Sequence, residues 1–142
     1  MDIIDIQCLR GRNIYSHKPV IKLIVDLKEY CNIPTKDIDD FNNRLTALLP
    51  GLYKHKCSPG YEGGFLERLE EGTYLAHVAE HIILELQYIA GYDIKFGKAR
   101  LFKEPNLYYI ICQYMNERCA IEAARLACKI INSIINKESI DI

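Results

Sequence analysis

The order of apolar patterns along this 142-residue chain limits its fold more than any other feature. Two short β-branched runs, 3–9 and 20–27, are followed by a helical pattern over 34–49, a glycine-rich loop over 55–64 and a long helical pattern over 65–90. Two further strand-like runs, 94–101 and 107–114, precede a last helical stripe over 116–135. Strand, strand, helix, loop, helix, strand, strand, helix predicts an α+β fold: one domain, a mostly antiparallel sheet, helices packed on one face. The two halves share an order of elements but no repeated sequence.

Local signals support these boundaries. Thr35 or Asp37 can cap the first helix, Ile38, Phe41, Leu45, Leu48 and Leu49 recur at helical spacing, and Pro50-Gly51 ends it. The long pattern is expected to break near Gly72-Thr73 and to stop at Gly91. Lys103-Glu104-Pro105-Asn106 reads as a hairpin connection. In the last helix Ala120, Ala123, Ala124, Ala127, Ile130, Ile131 and Ile134 form one stripe whose small residues allow close packing. The tail from about 136 reads as loose.

Composition excludes several classes. Eighteen basic and nineteen acidic residues leave a net charge of -1, so the footprint of a duplex nucleic-acid binder is absent and no nucleic-acid partner is expected. Acids at Asp2 and Asp5 stand where a signal peptide needs basic residues, and no apolar run is long enough for a membrane span. A cytoplasmic protein without a membrane partner is the expectation. The six cysteines form no C-x-x-C pair, which favours free, mostly buried thiols. His55-x-Cys57 is a weak metal-ligating pair, and a packed thiol is the commoner outcome.

The chemical signal is His77-x-x-Glu80-His81, an H-x-x-E-H pattern known from metallopeptidases. Residues four apart on a helix differ by about 40° in direction and ~6 Å along the axis, so two imidazoles converge on one ion. Glu80 lies on the same side, where a carboxylate reaches water on the ion as general base. With four histidines in the chain, the pattern is expected roughly 0.01 times by chance. Against it stands the plainer reading of two packed histidines with a solvated acid. Catalytic zinc takes three protein ligands, so a third donor is needed. Glu117, at the start of the last helix, is the candidate, with Glu122 and Glu85 as rivals. Glu85 also suits an orienting role, four residues beyond His81.

The approach to the motif is acidic, with Glu62, Glu67, Glu70 and Glu71 around Arg68. This is either a solvated helix face or a set of carboxylates for a guanidinium-bearing substrate, with Glu67, Arg68 and Glu71 as contacts. Arg100 and Arg10 can meet substrate carboxylates, and the ten tyrosines offer stacking surfaces.

Several segments together resemble the N-terminal domain of cyanophycin synthetase. They are Ile6-Gln7-Cys8-Leu9-Arg10-Gly11-Arg12-Asn13, the run from Cys57-Ser58-Pro59-Gly60 through Gly63-Gly64-Phe65-Leu66-Glu67-Arg68, Glu71-Gly72-Thr73-Tyr74, His77, Glu80-His81, Leu84-Glu85-Leu86-Gln87, Phe96-Gly97-Lys98-Ala99-Arg100, and 108–114. The resemblance covers nearly the whole chain. It implies a module that holds cyanophycin, a poly-aspartate with arginine on its side chains, and in some members a metallopeptidase-like site that cuts the polymer into primers. His77, Glu80 and His81 match that site. The chain departs from the pattern at Arg12, where the family has Pro, at Gln113, where a carboxylate is common, and at Lys98 in place of Arg.

No P-loop occurs and the length is too short for the family's ATP-dependent domains, so ligase activity is not expected of this chain alone. The resulting expectation is a zinc-dependent, endopeptidase-like hydrolase of a cyanophycin-like polymer, with cyanophycin synthetase as a candidate partner. The alternative is a non-catalytic polymer-binding module. A hydrolase of ordinary arginine- or aspartate-containing peptides ranks third.

Overall fold

A computed structural model of the chain describes residues 1–57 and 60–140. Ser58 and Pro59 of the glycine-rich loop, and Asp141 and Ile142 of the tail, lie outside the described residues. Strands β1 (Asp2–Leu9), β2 (Val20–Asp26), β3 (Gly97–Lys103) and β4 (Leu107–Gln113) form one sheet in the order β1-β2-β4-β3. Every neighbouring pair is antiparallel. The helices are α1 (Phe41–Leu48), α2 (Gly64–Glu71), α3 (Leu75–Ile89) and α4 (Glu117–Ile135). The α+β class is therefore observed.

Side-chain alternation sets which face is covered. Ile21, Leu23 and Val25 of β2 lie opposite Cys112, Ile110 and Tyr108 of β4 and enter the core. Lys22 and Ile24 point the other way, opposite Ile111 and Tyr109. On the inner face α3 packs over β3 and β4, while α4 lies beside it over β1 and β2. The outer face is partly roofed by residues 10–19: the Tyr15 ring lies 6.0 Å from Tyr109, and Gln113 Nε2 donates to Ser16 Oγ at 2.6 Å.

The alanine stripe of α4 is buried, with Ala120 and Ala127 fully excluded from solvent. Such a close helix seat has no room for extra methylenes. Ala127→Leu is expected to cost roughly 1–3 kcal/mol, measured as a lower urea midpoint at unchanged slope. Asn116 caps this helix, its Oδ1 accepting from the Cys119 amide at 2.9 Å.

Three boundaries differ from the expectation. The helix read over 34–49 is only α1, preceded by a 3-10 turn at Thr35–Asp37. Asp40 in the left-handed region (φ 55°) separates them, and buried Thr35 bonds Thr73 instead of capping. The strand read from 94 starts at Gly97, because Ile94 is buried in an irregular stretch before the ladder. The tail is tied down at least to Glu138, whose amide bonds Ser133 and whose carbonyl accepts from Arg44 Nη2 at 3.2 Å. The break after Glu71 and the hairpin at 104–106 stand as expected. All six cysteines are free, Cys112 buried and the others half-buried. Among the described residues no helix is long and apolar enough to cross a membrane.

Candidate metal centre

The break at 72–74 turns the chain between α2 and α3, so that α2 packs on the 3-10 turns at Thr35–Asp37 and Pro50–Lys54 while its Phe65 reaches the histidines of α3. Phe65, fully buried on α2, stacks on His81 with ring centroids 4.0 Å apart and meets His77 edge-on at 5.6 Å. The four-residue spacing on α3 aims both imidazoles at one point, with His77 Nε2 3.1 Å from His81 Nε2. From the other side the loop supplies Cys57, its Sγ 3.2 Å from His77 Nε2. One donor atom from each of Cys57, His77 and His81 lies within 4.8 Å of the other two.

The outer nitrogens are held as well. Thr73 Oγ1 lies 2.9 Å from His77 Nδ1. His55 Nδ1 lies 2.9 Å from His81 Nδ1, and His55 Nε2 lies 3.1 Å from Glu85 Oε1. An ionised carboxylate only accepts, so Glu85 takes the Nε2–H of His55. With His55 neutral its Nδ1 accepts, and His81 is then the donor at that contact. The lone pair of His81 is left on Nε2, facing His77 and Cys57, and it needs a positive partner, either a proton or a metal ion.

Burial keeps the ligating forms. His77 is pushed down to about 4, by desolvation first and then by the charges of Arg68 and Arg100. His81 is pushed down to about 2, by desolvation and then by His77 and His55. Both rings are neutral near neutral pH, as metal ligation requires. Desolvation pushes the Glu80 carboxyl the opposite way, up to about 7, opposed by Arg100. Glu80 Oε2 lies 3.5 Å from His81 Nε2, and both residues are buried beneath the half-buried Cys57 and His77. Two histidines and a thiol suit a borderline or soft divalent ion, zinc among them. This donor set fits a metal.

Two glycines make room for the acids. A Cβ on Gly97 would lie 2.9 Å from Glu80 Cγ, and a Cβ on Gly51 would lie 2.0 Å from Glu85 Oε2. Neither glycine signals this in the sequence, since each contact spans distant segments. Phe65 and Thr73 stand in the resembling segments, but nothing in their spacing marks them as neighbours of the histidines. As a ligand, Cys57 was legible only as half of the weak His55-x-Cys57 pair, although it also opens the run that carries the family resemblance.

The structure brings His77, Glu80 and His81 together but not Glu117. That residue makes a two-pronged ion pair with Arg10, at 2.9 and 2.8 Å, joining the end of β1 to the start of α4. The third donor beside the histidines is Cys57, supplied by the loop. Glu122 pairs with Arg118 on the surface, and Glu85 sits behind His55. Glu67 is exposed and bonds the Tyr61 hydroxyl, and Glu71 is exposed on the same helix. Arg68 is half-buried, and among the described residues its buried Nε has no hydrogen-bond partner. Arg100 is exposed on the edge strand β3, with Nη1 donating to the Ala99 carbonyl at 2.8 Å.

A family model described as the cyanophycin synthase-like N-terminal domain matches residues 22–136. The chain is 40% identical over 137 residues to a cyanophycin synthetase of Geminocystis herdmanii (strain PCC 6308), covering 95% of this chain and 16% of that protein. It is 39% identical over 140 residues to a cyanophycin synthetase of Trichormus variabilis (strain ATCC 29413 / PCC 7937), covering 96% and 15%. Against a cyanophycin synthetase of Synechocystis sp. (strain ATCC 27184 / PCC 6803 / Kazusa) the identity is 37% over 138 residues, covering 96% and 16%. The chain thus spans about a sixth of the length of these curated relatives. With the family model matched across most of its length and relatives 37–40% identical over 95–96% of the chain, the chain belongs to the cyanophycin synthase-like N-terminal domain family.

Proposed function

We propose that the chain is a metal-dependent amide hydrolase of the cyanophycin system, cutting an arginine-bearing aspartyl polymer into shorter chains. The observation that carries this reading is the convergence of Cys57 Sγ, His77 Nε2 and His81 Nε2 beside a buried carboxyl. These three residues would hold the ion. When bound, such an ion supplies a Lewis acid that polarises a carbonyl and acidifies water.

The protein's own groups account for the rest. Hydrolysis bonds a water oxygen to the carbonyl carbon, breaks the carbon–nitrogen bond and delivers a water proton to the leaving nitrogen. Glu80 is the group for that proton. Its carboxyl, raised to about 7 by burial, suits a base that accepts a proton and returns it near neutral pH. The charges of Arg68 and Arg100 act on His77, a position suited to the carboxylates of arginyl groups. Glu67 and Glu71 on the exposed side of α2 suit their guanidinium ends.

Incubation with purified polymer, with and without a chelator, tests the proposal through chain length. Shortening that stops with chelator and returns on adding zinc is the expected result. Shortening that persists in chelator contradicts it.

A second reading, a module that only holds polymer, draws on the outer sheet face. There Lys22 Nζ lies 5.4 Å from the Tyr15 ring centre and 5.8 Å from that of Tyr109, and Lys98 Nζ lies 5.4 Å from Tyr15. Polymer that is bound but never shortened, with or without zinc, favours that reading.

A further inference from the structure

The geometry points to His55 and Glu85 as the positioning pair of the centre: they act through His81, and they lock its tautomer and ring plane without ligating. This rests on the metal reading above for its consequence, though not for its geometry. His55 is not a fourth ligand. Among the described residues the ligating group is Cys57, His77 and His81, and His55 touches His81 on Nδ1, the nitrogen turned away from that group.

Its backbone is pinned from both sides. The His55 amide donates to Leu52 O at 3.1 Å, closing the 3-10 turn Pro50–Lys54, and its carbonyl accepts from the Phe65 amide at 3.2 Å. The ring also packs on Phe65 at 6.2 Å, the phenyl that stacks on His81. A rigid imidazole is thus placed against a second imidazole, and its far nitrogen meets a carboxylate whose side chain is only 7% exposed. Glu85 stands one turn beyond His81 on α3, and it reaches this position because Gly51 presents no side chain.

For an ionised Glu85 and a neutral His55, donor chemistry sets the hydrogen-bond order. Glu85 accepts, so His55 donates from Nε2; His55 then accepts at Nδ1, so His81 donates from Nδ1 and keeps a lone pair on Nε2. Partners of this kind fix the ring and raise ligand basicity at metal sites. The segment 55–57 therefore contributes twice, through the ligand Cys57 and through the residue that aims His81.

The substitutions separate positioning from packing. In His55→Asn the side-chain oxygen falls near the place of Nδ1 and still accepts from His81. In His55→Gln the amide falls near the place of Nε2 and serves Glu85 alone. Two readouts apply to the full chain: the histidine tautomers of the metal-free protein by nitrogen-15 NMR, and zinc affinity by chelator competition, with circular dichroism as the folding control.

The parent and His55→Asn should show His81 with its proton on Nδ1, while His55→Gln and Glu85→Gln lose that preference and bind zinc roughly 10–100-fold more weakly. A parent His81 protonated on Nε2 overturns the inference, as does a folded His55→Gln with parental tautomer and affinity. A parent that binds no zinc removes the metal reading, and the tautomer measurement still decides this one. Should His55→Gln fail to fold, the parent spectrum and His55→Asn still decide it.

Discussion

Glu80→Gln is expected to abolish polymer cleavage while the fold and metal content stay intact. Gln has the shape of the carboxyl it replaces, and Glu80 is 6% exposed, so the packing against Gly97 and Cys112 is kept. Burial already penalises the charged form of this group, as its pKa of about 7 records, so a neutral amide costs the fold little. What is lost is the ability to take a proton from water. General-base removal costs about 10²–10⁴ in rate, and the residual rate on a slow amide substrate falls below detection. Unimpaired cleavage by a folded Glu80→Gln would take the catalytic role from this residue. Gly97→Ala gives a milder companion result: its Cβ, 2.9 Å from Glu80 Cγ, displaces the carboxyl, so rate falls while zinc affinity holds. Equal losses of both would indicate a collapsed site instead.

The second large effect is on metal binding. Cys57→Ser and His77→Ala each remove one of the three converging donors, and zinc affinity should fall by more than the roughly 10–100-fold seen for an outer hydrogen-bond partner. Binding to the native state stabilises by mass action, about 4 kcal/mol at a thousand times Kd. Zinc should therefore raise the melting temperature of the parent and leave these two variants nearly unchanged. Glu117→Ala should respond to zinc like the parent, because Glu117 pairs with Arg10 just past the end of β1 and is not one of the converging donors. An equal zinc response in parent and Cys57→Ser would mean that the thiol is not a ligand.

The legible part of this molecule is the part governed by local periodicity. Both strand pairs, the break near Gly72 and the alanine stripe of α4 follow from spacing that the fold preserves. The pair His77 and His81 was legible for the same reason, since one helical turn suffices to define it. What spacing does not encode is which distant segment meets that turn. Glu117 and Cys57 are both close to the motif in plausible topologies. Only the turn between α2 and α3, seated through Phe65, delivers the loop. Thr35 looked like a helix cap because its chemistry is the same whether it bonds its own helix or, as here, Thr73 across the chain. Gly51 and Gly97 matter through what they omit, and an omission has no pattern.

Cobalt titration of the metal-free protein, followed by the thiolate-to-metal absorption band, tests the centre most directly, because that band appears only when a cysteine sulfur binds. A band that saturates at one equivalent, and is absent in Cys57→Ser, is the predicted result. No band at excess cobalt in the folded parent would contradict a metal centre at Cys57, His77 and His81.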